Sequence, residues 1–291
     1  MDLLLTLPII IMTAATPLLL AALGEMVTER SGVLNLGVEG MMVMGAVAGF
    51  GGAFATGNPW VGVIASIVAG MAMSLLFGFL TLTLLANQVA TGLALTLLGL
   101  GLSALIGESF VGQPGVKLPA IAGIDPLVPF SILMVGLVSW FLFRTKMGLV
   151  IRAVGNSHAS AHALGYNVIA VRYLSVLFGG AMSGLAGGYL SLVYTPQWVE
   201  NMTSGRGWIA LALVVFASWL PLRILAGAYL FGTISILSFV LQAQGLGIPS
   251  QFLSSLPYLG TILALVVISG NKALTRRNTP ASLGQPFVPD R

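Results

Sequence analysis

Apolar residues fall in long blocks along this chain, and polar residues gather in the gaps. The blocks occupy roughly 3–24, 36–56, 59–86, 88–107, 126–143, 168–194, 207–221, 224–244 and 257–270. Most run to about 18 residues or more, enough for a helix to cross the ~30 Å hydrocarbon layer. The pattern therefore predicts an all-α polytopic membrane protein with about nine transmembrane helices, eight to ten at the bounds. Pro59, Pro126 and Pro257 stand near block starts, where a missing N–H costs a helix nothing. Gaps are short except at 25–35, 108–125, 144–167, 195–206 and 245–256. One transmembrane domain, 1–270, follows from this map. A polar tail, 271–291, carries Pro280, Pro286 and Pro289 and is expected to be disordered.

Composition agrees with the pattern. Of 291 residues, 57% are hydrophobic and 7% charged, with mean hydropathy +1.01. A soluble domain of this size needs far more surface charge. The chain has no cysteine, which excludes disulfides, thiolate catalysis and a cysteine metal site. Met1-Asp2 offers no basic leader, so no cleavable signal is expected. The 37 glycines suit close helix packing in lipid; Gly180, Gly184 and Gly188 make one stripe, and Gly45 and Gly49 another.

Basic residues set the expected orientation. Nine crossings with a cytoplasmic C-terminus put Arg30, Arg144, Lys146, Arg152, Arg172, Arg223, Lys272, Arg276, Arg277 and Arg291 on the cytoplasmic side. Lys117 and Arg206 are left outside. The net charge of +4 thus reflects cytoplasmic loops, and no nucleic acid is expected as a partner.

The stretch "IRAVGNSHASAHALGYNVIAVR" (151–172) departs from the rest, being polar, rich in small residues and home to both histidines. Asn156 or Ser157 can cap a helix, and Gly165 can end it in a left-handed turn. Two turns are marginal alone, so this helix should dock on something. Its small residues, Ala159, Ser160, Ala161 and Ala163, admit close approach by a partner. A solvated helix with no partner is the alternative. His158 and His162 are spaced as two metal ligands on one face, but no third His or Cys exists, so no metal is expected.

A second unusual stretch is "GEMVTERSGVLNLGVEGMMVMGA" (24–46). Four glycines, Gly24, Gly32, Gly37 and Gly40, interrupt an apolar run holding Asn35 and Glu39. Broken helix is tolerated at membrane depth only where protein or a water-filled cavity satisfies the backbone. A similar plan recurs at 203–220, "TSGRGWIALALVVFASWL", after an outer gap instead of an inner one, which fits an inverted repeat. Glu39 has two readings: a group lining or gating a solute path, or an acid capping a helix start. Asn87, Gln88, Thr91 and Thr96 form a polar stripe that faces either a cavity or a neighbouring helix.

Three stretches carry a family resemblance: 24–46, "NQVATGLALTLLGLGL" (87–102) and "RAVGNSHASAHALGYNV" (152–168). They resemble the permease subunits of ABC importers for simple sugars and nucleosides, in the branch associated with basic membrane lipoproteins. The resemblance covers roughly 20–270. It implies the ABC importer permease fold, with 144–167 as the coupling loop and Asn156, Ser157, His158, Ala159, Ser160, Ala161, Leu164 and Gly165 as its ATPase-coupling residues. It also implies an ABC ATPase, a second permease, identical or homologous, and an external substrate-binding lipoprotein or periplasmic protein. Localisation in a bacterial inner membrane follows. No G-x-x-x-x-G-K-[ST] occurs, so this chain holds no P-loop, needs no cofactor of its own and is not expected to be an enzyme.

The expected function is import of a neutral polar solute, because few charges lie at membrane depth. Asn35, Glu39, Asn87, Gln88 and Thr91 are the candidate pathway residues. Resemblance favours nucleosides or related purines, with simple sugars such as ribose or galactose as the alternative. An ion-coupled transporter using Glu39 is a weaker reading. A membrane enzyme is weaker still, since no catalytic set converges.

Overall fold

The computed structural model describes residues 3–121, 123–243, 249–269 and 278–288. Eleven α-helices run through them, and no β-strand occurs among the described residues. In chain order they are α1 (Leu3–Arg30), α2 (Val38–Thr56), α3 (Pro59–Gly78), α4 (Gln88–Gly107), α5 (Leu127–Arg144), α6 (Lys146–Asn156), α7 (His158–Ala163), α8 (Val168–Tyr189), α9 (Arg206–Phe216), α10 (Pro221–Ala243) and α11 (Ser250–Ser269). Single π turns, Phe79–Thr83 and Leu190–Tyr194, extend α3 and α8. Every predicted apolar block is a helix, and the polar loop 144–167 contains the two short helices α6 and α7. Side-chain oxygens of Asn58, Asn87, Thr145, Ser157 and Asn167 cap α3, α4, α6, α7 and α8.

Seven described helices are long and apolar enough to cross a bilayer: Leu7–Arg30, Val38–Thr56, Pro59–Thr83, Gln88–Phe110, Leu127–Arg144, Val168–Tyr194 and Pro221–Gln242. Exposed Leu97, Leu105, Ile64 and Leu174 give the bundle the apolar outer ring that lipid requires. α9 departs from expectation. It has 11 residues, about 16 Å at the ordinary helical rise, too short to span. The apolar run continues beyond it, but Ser218 and Trp219 turn to positive φ (51° and 54°) and end the helix. α1 differs the other way, running on to Arg30 and leaving only 31–37 as the break before α2.

The centre is a three-helix contact of α2, α3 and α8 without large side chains. Gly184 sits between Gly45 of α2 and Gly70 of α3, and Gly180 meets Ser74 of α3. A methyl at Gly184 would overlap the Ser66 carbonyl, so the backbones touch and gain dispersion along the seam. The match of Gly45 to Gly184 also sets depth. α2 begins roughly 10 Å before that level, hence about half-way along α8.

Packing accounts for two further features. Trp198 is a buried side chain, 2% exposed, wedged between Gly107 and Phe50. The expected disordered tail gives way over 278–288. Ser282 N donates to Gly155 O (2.8 Å), Gly284 N to Gly32 O (3.1 Å), and Phe287 is buried. Prolines there remove donors from a segment that needs few of them, and two arginines, Arg30 and Arg172, bond its carbonyls.

Candidate functional site

Two places gather polar chemistry: a junction near half depth, and the end of the bundle where Arg30, Arg152 and Arg172 lie, called here the basic end. At the junction, the break 31–37 would leave amides unpaired in an apolar core. Neighbouring side chains take them up. Gln88 Oε1 accepts from Leu34 N (2.8 Å), Glu25 Oε1 from Asn35 N (3.2 Å) and Asn35 Oδ1 from Gly37 N (2.9 Å). Thr96 Oγ1 donates to Leu36 O (3.1 Å).

Glu39 lies in the first turn of α2 and is 2% exposed. Its carboxylate reaches the start of α9. Oε1 accepts from Thr203 Oγ1 (2.6 Å) and Gly205 N (2.8 Å), and Oε2 from Gly207 N (2.6 Å). Gly205, with φ +82°, begins α9 and brings no capping side chain, so Glu39 supplies the cap from across the bundle. A Cβ at Gly207 would stand 2.6 Å from the Glu39 backbone, which explains glycine there. Arg206, expected outside, sits at this same helix start. Its guanidinium stacks over Tyr194 and donates to the Met202 carbonyl (3.0 Å).

The other end of α9 is also held by α1. Trp219 Nε1 donates to Glu29 Oε2 (2.5 Å), and Arg30 Nη2 donates to Trp219 O (2.8 Å). These bonds hold a bulky residue in the left-handed region, which it rarely adopts. Residues 24–46 and 203–220, likened on sequence, are thus brought together: acids of the first bind both ends of the second.

At the basic end, α7 follows its sequence signals. Ser157 Oγ accepts from Ser160 N (3.2 Å), and Gly165, at φ +85°, closes the helix with its N–H on His162 O (2.8 Å). Asn156 ends α6 and is exposed. The small residues divide. Ala161 is buried against Val150, Val154, Val168 and Phe287, whereas Ala159, Ser160, Ala163, Leu164 and Gly165 are exposed, Leu164 at 76%. His158 Nδ1 lies 3.4 Å from Arg172 Nη2. Burial, then the nearby Arg172 charge, pushes the His158 pKa below its ordinary value.

Of the candidate pathway residues, Asn35, Glu39 and Gln88 are enclosed and bonded to broken backbone, as is Thr96. Asn87 is exposed and Thr91 half-buried. Asn87 and Gln88 border a cavity of about 250 Å³ shared with Leu85, Gly284 and Pro286. Among the described residues no group of three or more His, Cys, Asp or Glu could hold a metal. Sequence reasoning missed Thr203, Trp219, Gln285 and Phe287. An aromatic between two prolines in a polar tail was the one available signal, at Phe287.

Residues 7–269 match the family described as branched-chain amino acid transport system / permease component. The chain belongs to this permease family. Three relatives resemble the permease over nearly its whole length. A putative glucose ABC transporter permease of Haloferax volcanii is 40% identical, covering 94% of each chain. A guanosine ABC transporter permease of Bacillus subtilis is 33% identical, over 94% of this chain and 93% of its own. A nucleoside ABC transporter permease of Lactococcus lactis subsp. cremoris is 29% identical, over 88% and 90%. No solved structure matches. The permease is thus a multi-span membrane protein of ABC transport and not an enzyme, in line with the resemblance read from 24–46, 87–102 and 152–168.

Proposed function

We propose that the permease is the membrane subunit of an ATP-driven importer for a neutral polar solute, most specifically nucleosides or related purines. The observation that carries the reading is the capped helix α7, docked on its buried Ala161 side and bare along Ala159, Ser160 and Leu164. Such a face suits a separate ATPase subunit, and the basic end is then cytoplasmic, with the C-terminus on that side. An external binding protein delivers the solute, and a second permease, identical or homologous, completes the path. Localisation is the plasma membrane, the inner membrane in a bacterium.

Guanosine and nucleoside names among the relatives support the purine class. A simple sugar is the second reading, favoured by the 40% identical relative named for glucose. The ion-coupled reading loses support, because Glu39 spends both oxygens on α9. Asn87 and Thr91, open at the basic end, are the pathway candidates left with uncommitted surface; Asn35, Glu39 and Gln88 shape the path by holding its walls. Reconstitution with the ATPase and binding protein tests the assignment. Labelled-nucleoside uptake should require ATP and be competed by unlabelled nucleosides. Competition by glucose or ribose with nucleosides inert moves the assignment to sugars, and uptake without ATP overturns it.

A further inference from the structure

Phe287 is the residue at the basic end whose placement the ABC reading does not use. It is 7% exposed, and its ring lies edge-on to both histidines of α7, with centroids 5.3 Å from His158 and 5.4 Å from His162. The segment that carries it is bonded along its length. Arg30 Nη1 donates to Asn278 O (3.0 Å), Ser282 N to Gly155 O (2.8 Å), Gly284 N to Gly32 O (3.1 Å), and Arg172 Nη1 to Gln285 O (3.0 Å). Arg172 also donates to Ser31 O (3.3 Å), at the start of the break that leads to α2.

We propose that segment 278–288 is a strap that positions α7 and links it to the break at 31–37, with Phe287 as the positioning residue. The inference rests on the coupling role assigned to α7 above. Three observations support it. A six-residue helix is not stable alone, so its orientation comes from what it leans on. Phe287 joins Val150, Val154 and Val168 as the apolar floor on which Ala161 of α7 packs. The same short segment grips Gly32, whose φ of +87° starts the turn from α1 into the break. A push on α7 therefore reaches Gly32 through one bonded segment, and Ser31 through Arg172 of α8, which holds both the strap and Ser31. Gly284 and Pro286 also wall the cavity beside Asn87, so displacement of the strap alters the opening of that cavity.

A merely fold-stabilising tail is the competing account, and the test separates the two. The complete transporter (permease, ATPase and binding protein) is reconstituted, and ATP hydrolysis is followed as loaded binding protein is added. For Phe287→Ala, maximal stimulation should fall by about tenfold, the ordinary scale of a coupling energy. The binding-protein concentration giving half the stimulation should stay unchanged, because the external face is untouched. Phe287→Leu, which keeps an apolar floor, should recover most of the stimulation. Because the chain lacks cysteine, a His162→Cys/Phe287→Cys pair adds a reversible tie. That protein should be poorly stimulated when reduced and recover when oxidised. Full stimulation in Phe287→Ala or in the reduced pair overturns the strap, and so does a cross-linked pair that gains nothing from the link. A wild-type complex that shows no stimulation at all strikes the importer reading instead.

Discussion

Glu39 Oε2 accepts the backbone N–H of Gly207 at 2.6 Å, joining the first turn of α2 to the first turn of α9 across 168 residues of sequence. Together with the bonds from Thr203 and Gly205, it makes one carboxylate the cap of a helix that begins inside the bundle. Glu39→Ala should cost about 3 kcal/mol, since hydrogen bonds to a charged acceptor are individually strong and the buried amide of Gly207 is left unpaired. Glu39→Gln should cost nearly as much, because its NH₂ faces an N–H donor. Thermal or denaturant unfolding of the purified permease measures both; an unchanged midpoint for Glu39→Ala would refute the capping role.

Gly184→Ala should prevent folding of the α2–α3–α8 seam, where the added methyl meets backbone that cannot move aside. Leu97→Ala, at a position 72% exposed, should leave stability within about 0.5 kcal/mol. Yield of monodisperse protein in detergent, followed by unfolding, is the measurement.

Two of the three alanines of α7, Ala159 and Ala161, predict different defects. Ala159→Trp, on the exposed face, should leave a folded permease whose ATPase partner is no longer stimulated. Ala161→Trp places its ring in the floor under α7 and should destabilise the basic end by about 1–3 kcal/mol. Comparing unfolding midpoints with stimulated ATP hydrolysis separates the pair. Identical profiles for the two variants would contradict the division of the helix into a docked and a free face.

Acid should loosen α7. His158 faces Arg172 of α8 and the Phe287 ring, with His162 on its own helix, and its pKa lies below the ordinary imidazole value. A depressed histidine pKa means the docked state binds fewer protons than the undocked one. Docking is therefore complete above about pH 6.5 and weakens as pH falls through that value. Hydrogen exchange of 157–166, corrected for intrinsic rate, should be faster at pH 5.5 than at pH 7.5. His158→Gln should flatten the profile; a flat wild-type profile would rule the effect out.

Topology is open to direct chemistry in a chain without cysteine. Leu164→Cys should react with an impermeant thiol reagent only from the cytoplasmic side, and Lys117→Cys only from outside. Labelling of both from one side would break the assigned orientation.

The helices were legible because lipid imposes a simple rule, that long apolar runs become helices, and because caps such as Ser157 and Asn87 act within a few residues. α7 was legible for the same local reason. The junction was not. Glu39 and Gly207 meet only after α2, α3 and α8 have packed on glycine, and no local pattern announces a bond across 168 residues. Composition also misjudged the tail. Prolines and polar residues read as disorder, yet Phe287 and backbone carbonyls bonded by arginines suffice to seat 278–288.

The meeting of two helix starts has an electrical consequence. Each helix N-terminus carries about half a positive charge, and α2 and α9 both present theirs to the single carboxylate of Glu39. Two halves balance one unit, so backbone dipoles offset the acid without an ion pair: the nearby Arg206 turns instead to the Tyr194 ring and the Met202 and Thr203 carbonyls. An acid offset in this way can sit near the middle of the bundle and tie two helix starts together with no basic side chain bonded to it.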